Sequence, residues 1–217
     1  MLSKKLEFLK SELIAYAGLV TSMIEQGMTG LMHKDRLLLR EIIFKSEPIA
    51  NFRETDLEEH CVHTIAQFEP KAKDLRTVLM ILKITNDLER IGDHAVNIAE
   101  SILYLVEMPP INSMVNIPKM AEMTVSMLRD SLRAFIEENS DLARSVCARD
   151  NEIDELRDRI YRELIDCMSA DSSSIERALH LMRISRNLER VADLSTNFCE
   201  DTIFMVSGVV IKHHLDE

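Results

Sequence analysis

The stretch from Asn86 to Glu100, NDLERIGDHAVNIAE, returns one hundred residues later as RNLERVADLSTNFCE, from Arg186 to Glu200. At that offset Leu88, Glu89, Arg90, Asp93, Asn97 and Glu100 recur as Leu188, Glu189, Arg190, Asp193, Asn197 and Glu200. A duplication of this span within 217 residues predicts two similar halves of one architecture. Most of what recurs is polar. On a helix advancing about 100° per residue, Glu89, Asp93, Asn97 and Glu100 fall within an arc of roughly 80°, so oxygen-bearing side chains stack along one face. A duplicated row of acids is a candidate cation site.

The rest of the chain predicts helices around this pair. Leu6, Leu9, Leu13, Tyr16, Val20, Met23 and Ile24 step by three and four from the first residues to about Gln26, with Gly27 and Gly30 marking an end. A second helix is expected from Leu31 or Asp35 to Phe68, with Leu38, Ile42, Ile49, Phe52, Leu57, Cys61 and Ile65 on its apolar side. Pro48 should kink or split it, since proline lacks a donor and clashes with the preceding turn. A third runs from Lys71 to Glu107 and stops at Pro109-Pro110. Its core stripe, Ile84, Leu88, Ile91, Ala95, Ile98 and Ile102, lies about 140 to 220° from the acids, which are therefore expected to face outward.

Residues 111–118 read as a linker, after which the pattern restarts over Lys119–Glu138, Leu142–Met168 and Ser174–Val206. The loop from Ser169 to Ser174 supplies capping groups for the last helix. The expected architecture is all-α: two tandem three-helix bundles with antiparallel long helices, spanning residues 1–110 and 119–217. Few glycines and prolines, no tryptophan and abundant Leu, Ile, Met and Glu agree with this.

The second helix of each half carries a further polar row: Asp150, Asp154 and Asp158 in the second half, and Glu47, Asn51 and Thr55 in the first. If these helices pack beside the duplicated ones, each half gathers carboxylates and amides in a groove suited to magnesium, manganese, calcium or iron. Unlinked, an acidic helix face is an ordinary solvated surface, with Arg90 and Arg190 as helical partners. The joint recurrence of Glu, Asp, Asn and Glu brings the cation reading level with the solvated one, and the residues alone leave both open.

Other features carry less. A net charge of −11 and the lack of a basic run argue against nucleic acid as a partner. Cys61, Cys147, Cys167 and Cys199 form no CxxC pair and sit in helical apolar patterns, as expected for reduced thiols in a cytoplasmic protein. No segment approaches the ~18 apolar residues of a membrane span, so membranes are expected to be met only through partners. His60 and His63 read as partly exposed packing residues, His94 has only Leu194 as counterpart, and His213 and His214 fall in a polar tail. No nucleophile with an adjacent base can be named, and a metal-dependent hydrolase using the carboxylate clusters is the enzymatic alternative.

Glu89-Arg-Ile-Gly-Asp93 and Glu189-Arg-Val-Ala-Asp193 follow helix starts containing Asp74-Leu75-Arg76, after Glu69-Pro70-Lys71-Ala72, and Glu176-Arg177. With the order of helices and linker over essentially the whole chain, they resemble the paired E(D)xxxD motifs of the PhoU family. That resemblance implies two three-helix bundles and multinuclear metal clusters of iron, zinc, manganese or magnesium. Carried over by position, the ligands are Glu89, Asp93, Asn97 and Glu47 in the first half, and Glu189, Asp193, Asn197, Asp150 and Asp154 in the second. Asn51 stands where the motif has an acid, so the first site is expected to be the weaker. The resemblance further implies a cytoplasmic negative regulator of phosphate uptake and phosphate-starvation signalling, not an enzyme. Its implied partners are the ATPase subunit of a phosphate ABC transporter, a sensor histidine kinase and further copies of itself, as a homodimer or higher oligomer.

Overall fold

The computed structural model describes residues 1–111 and 116–208, and every regular element among them is helical. The first half comprises α1 (Leu2–His33), α2 (Arg36–Glu41), α3 (Glu47–Phe68) and α4 (Ala72–Leu105). The second comprises α5 (Asn116–Glu137), α6 (Ser140–Cys147), α7 (Asp150–Ala170) and α8 (Ile175–Ser207). With α2 and α6 as short lead-ins to α3 and α7, each half is a three-helix bundle. Residues 112–115 of the expected linker, and His213 and His214, lie outside the described residues.

The core follows the apolar periods. Leu9, Leu13, Tyr16, Val20 and Ile24 of α1 pack with Ile84, Leu88, Ile91, Ala95, Ile98 and Ile102 of α4, all fully buried. α4 also lies along α8, with Lys83 paired to Asp201, His94 to Asn187 and Asn97 to Arg183, so the two helices run antiparallel. A second link between the halves joins Arg129 of α5 to Glu25 of α1 at 2.7 Å.

Four boundaries depart from the sequence reading. α1 continues past Gly27 and Gly30 to His33 and ends on Lys34, whose φ of 54° is left-handed. Gly30 serves packing: a Cβ there would stand 2.7 Å from Leu39 Cδ2. Asp35 then caps α2, accepting from the Leu37 and Leu38 amides at 3.0 and 3.1 Å.

Ahead of Pro48, residues Ile42–Ser46 form a π-helical turn. Its extra residue advances the register of α3 relative to α2, so the stripe through Ile42 passes to Ala50, Leu57 and Cys61, while Ile49 and Phe52 face solvent. In the second half a turn at residues 148–149 breaks the expected single helix into α6 and α7. The last of the four is α5, which begins at Asn116 with Pro118 in its first turn, where a missing amide hydrogen removes no helical bond. Before α8, Asp171 accepts from the Ser173 amide at 2.9 Å and starts a 3-10 turn over Ser172–Ser174.

Candidate functional site

In the first half, α3 lies beside α4 and α1 beneath both. Glu47 and Glu54 come from α3 and Glu89 and Asp93 from α4. Burial pushes the Glu89 carboxyl up from its ordinary range, with Asp93 and Glu47 adding and Arg90 opposing. Burial likewise pushes Glu54 up, reinforced by Glu89, Glu58 and Asp93. Among the described residues none of Glu47, Glu54, Glu89 and Asp93 makes an ion pair. Asn51 donates Nδ2 to Glu47 Oε1 at 3.2 Å.

Below this group sits Tyr16, fully buried, whose hydroxyl has no hydrogen-bond partner among the described residues. Its pKa is raised by burial first, then by Glu54, Glu89, Asp93 and Glu58. A buried hydroxyl within reach of four carboxylate fields but bonded to none is an open polar end. Glu54, Glu58 and Tyr16 were not read from the sequence. Glu54 shares a helix face with Glu47 at seven-residue spacing, a signal that the four-residue row through Asn51 and Thr55 obscures, and Tyr16 reads as core until α1 packs on α4.

The duplicated row does not stay together. About two turns beyond Glu89 the row meets α8. Asn97 Oδ1 accepts from Arg183 Nη2 at 2.6 Å, and Glu100 pairs with the same guanidinium at 3.0 Å. Asn97 is thus corrected out of the first ligand set. The outward expectation needs correction too: Glu189 keeps only 12% side-chain exposure and Glu89 is half-buried, while Asp93 and Glu100 are exposed.

The second half places Asp154 of α7 near Glu189 and Asp193 of α8, with a guanidinium between them. Arg157 Nη1 lies 2.8 Å from Asp154 Oδ1 and 2.9 Å from Glu189 Oε1, and its Nη2 is 2.9 Å from Asp158 Oδ1. Arg190 pairs with Asp193 at 3.1 Å. Burial raises the pKa of Glu189, with Asp193 adding and Arg190 and Arg157 opposing, and burial likewise raises Asp193. Asp150, at the start of α7, acts on Cys147, and Asn197 is half-buried one turn beyond Asp193. Among the described residues no group of three or more His, Cys, Asp or Glu side chains is drawn together tightly enough to enclose a metal ion.

The remaining candidates are local. His60 packs edge-on against Phe8 at 5.1 Å and His63 lies 3.9 Å from Glu59. All four cysteines are free thiols, Cys61 and Cys199 buried. No helix among the described residues is long and apolar enough to cross a membrane.

The PhoU domain model matches twice, over residues 13–102 and 117–202. The phosphate-specific transport system accessory protein PhoU homolog of Aquifex aeolicus is 38% identical over 217 residues, covering 100% of this chain and 98% of the relative. That of Clostridium acetobutylicum is 36% identical, covering 94% and 93%. The crystal structure of PhoU from Pseudomonas aeruginosa superposes with a TM-score of 0.92 at 31% identity, covering 96% of this chain and 100% of that one. The phosphate transport system regulatory protein PhoU from Streptococcus pneumoniae gives 0.91 at 28% identity, covering 98% and 100%. These relatives are accessory and regulatory proteins rather than enzymes, which sets the hydrolase alternative aside. Two matched domains and full-length similarity make this chain a member of the PhoU family.

Proposed function

We propose that the chain is a cytoplasmic negative regulator of phosphate uptake and phosphate-starvation signalling. In this reading it is an adaptor between a phosphate ABC transporter, through the ATPase subunit, and a sensor histidine kinase. Family membership supports a role in the phosphate system. The observation that carries the adaptor reading is an apolar outer face: Leu37, Phe44 and Phe52 are 75%, 71% and 68% exposed along α2, the π turn and α3. Large side chains left in water along one segment mark a docking surface. The test is binding of the purified chain to the ATPase subunit and to the kinase's cytoplasmic portion, with a Phe44→Ser, Phe52→Ser variant and sedimentation to read self-association. Binding weakened by the variant supports the adaptor; no binding to either partner overturns it.

A cation site belongs to the same proposal, held by Glu47, Glu54, Glu89 and Asp93, with iron, zinc, manganese or magnesium as the candidate metals. Its support is four carboxylates that make no ion pair among the described residues, Glu54 and Glu89 pushed up by burial and by neighbouring carboxylates, above the unbonded Tyr16 hydroxyl. Oxygen ligands of this kind suit hard and borderline cations. Bound there, a cation would offset the repulsion and tie α3, which bears the apolar face, to α4. The second set, Asp150, Asp154, Glu189, Asp193 and Asn197, ranks below it, because Arg157 already supplies a positive charge. This reverses the ranking expected from Asn51.

A further inference from the structure

Beside the line where α4 and α8 run together, a cleft of about 580 Å³ opens, and four guanidiniums line it: Arg90, Arg183, Arg186 and Arg190. No basic run in the sequence announces them. Arg90 and Arg190 are copies of one another, whereas Arg183 and Arg186 replace Lys83 and Asn86 of the first half. Antiparallel packing brings residues separated by about a hundred positions to one groove. In a chain of net charge −11 the groove gathers four guanidiniums, with carboxylates paired close behind three of them. The correction to the sequence reading is that a basic patch exists, assembled by the fold.

Three of the four arginines share their charge. Arg90 Nη1 lies 3.1 Å from Asp87 Oδ1, Arg183 Nη2 3.0 Å from Glu100 Oε2, and Arg190 Nη1 3.1 Å from Asp193 Oδ2. A guanidinium carries five N–H donors in a planar fork, so each retains donors these contacts leave open. Arg186 makes no hydrogen bond or ion pair among the described residues. Asp93 is the single carboxylate in the lining.

The wall between the arginines is neutral and fixed. Asn187 Nδ2 donates to the Arg183 carbonyl at 2.7 Å, which leaves Oδ1 to accept from His94 Nδ1 at 2.8 Å. These contacts fix both side chains, and most of the open donors belong to the guanidiniums.

We propose that this cleft binds a small, multiply charged oxyanion of the phosphate class. Planar forks match tetrahedral phosphoryl oxygens in pairs, and a multiply charged anion draws on the donors that Asp87, Glu100, Asp193 and Glu189 leave open on the guanidiniums. The volume admits orthophosphate or a short chain of phosphates. The site is distinct from the α3–α4 carboxylates, sharing only Asp93 with the lining.

The test is calorimetric titration of the full chain, freed of metal by a chelator and dialysed at low ionic strength, with orthophosphate, pyrophosphate and tripolyphosphate in separate runs. Saturable binding of at least one of the three is expected, with chain length distinguishing a free phosphate from a polyphosphate. Arg186→Glu should weaken it by at least about tenfold, because an attractive charge becomes a repulsive one. That residue is exposed and unpartnered, so the variant should melt like the parent, and Glu54→Gln should leave the affinity unchanged. No saturable binding, or binding indifferent to Arg186→Glu, overturns the proposal. So does binding seen only in metal-loaded protein and lost with Glu54→Gln, which would put the anion on a cation between α3 and α4.

Discussion

Arg157 Nη1 donates to Glu189 Oε1 at 2.9 Å, tying α7 to α8 through the middle of the second carboxylate row. The alignment that sets Asp150 over Glu47 and Asp154 over Asn51 sets Arg157 over Glu54. One half therefore carries its own cation where the other carries a further acid. The two copies keep the same fold and differ in charge at the place where chemistry is expected.

Removing that guanidinium should expose the repulsion it offsets. In Arg157→Ala, Glu189 stays nearly buried beside Asp193 and Asp154, and the variant should lose about 1–3 kcal/mol near neutral pH. The folded protein then holds the Glu189 proton more tightly than the unfolded chain does. For a carboxyl raised in the folded state, stability falls as pH rises through the carboxylate range and the penalty fades below it. Urea denaturation of parent and variant at about pH 7 and about pH 4.5 checks this, with the gap expected to narrow at the lower pH.

The first cluster predicts the opposite sign for a substitution. In chelator-treated protein, Glu54→Gln removes one of the carboxylates whose pKa burial and neighbours raise. It should stabilise the chain by roughly 0.5–1 kcal/mol near neutral pH, with little effect where the carboxyl is already protonated. Thermal melts across that range, with metal absent, read it.

Two glycines of α1 should respond in opposite directions. Gly30→Ala places a Cβ 2.7 Å from Leu39 Cδ2 and 2.8 Å from its Cγ, and Leu39 is fully buried. Overpacking there should cost about 1–3 kcal/mol, more than the helix propensity alanine adds. Gly18 is exposed with nothing within 4 Å of an added Cβ, so Gly18→Ala should gain up to about 1 kcal/mol. Denaturation midpoints of the two variants settle both.

Much of this fold was legible because the apolar periods are long and regular. All six residues of the α4 stripe are buried as its spacing predicts. Ile49 and Phe52 escaped prediction because a π turn, a property of backbone packing ahead of Pro48, shifted their phase. The site was legible in part. Glu89 and Asp93 were visible as a repeat, but Glu54 and Tyr16 reach them from other helices. Asn97 left the set because Arg183 of α8 takes its Oδ1, a contact that spacing within α4 does not announce. Arg157 was hidden for a related reason: within its own helix it is one more charged residue, and only α8 gives it Glu189.

In the proposed reading the first half holds a cation between α3 and α4, while the second is neutralised from within by Arg157. Elemental analysis of the full chain, purified without chelator or affinity tag, tests this most directly when Glu54→Gln, Asp93→Asn and Asp154→Asn, Asp193→Asn variants are compared. Metal content should fall sharply in the first variant and stay near the parent's in the second. Metal retained in the first and lost in the second would contradict it.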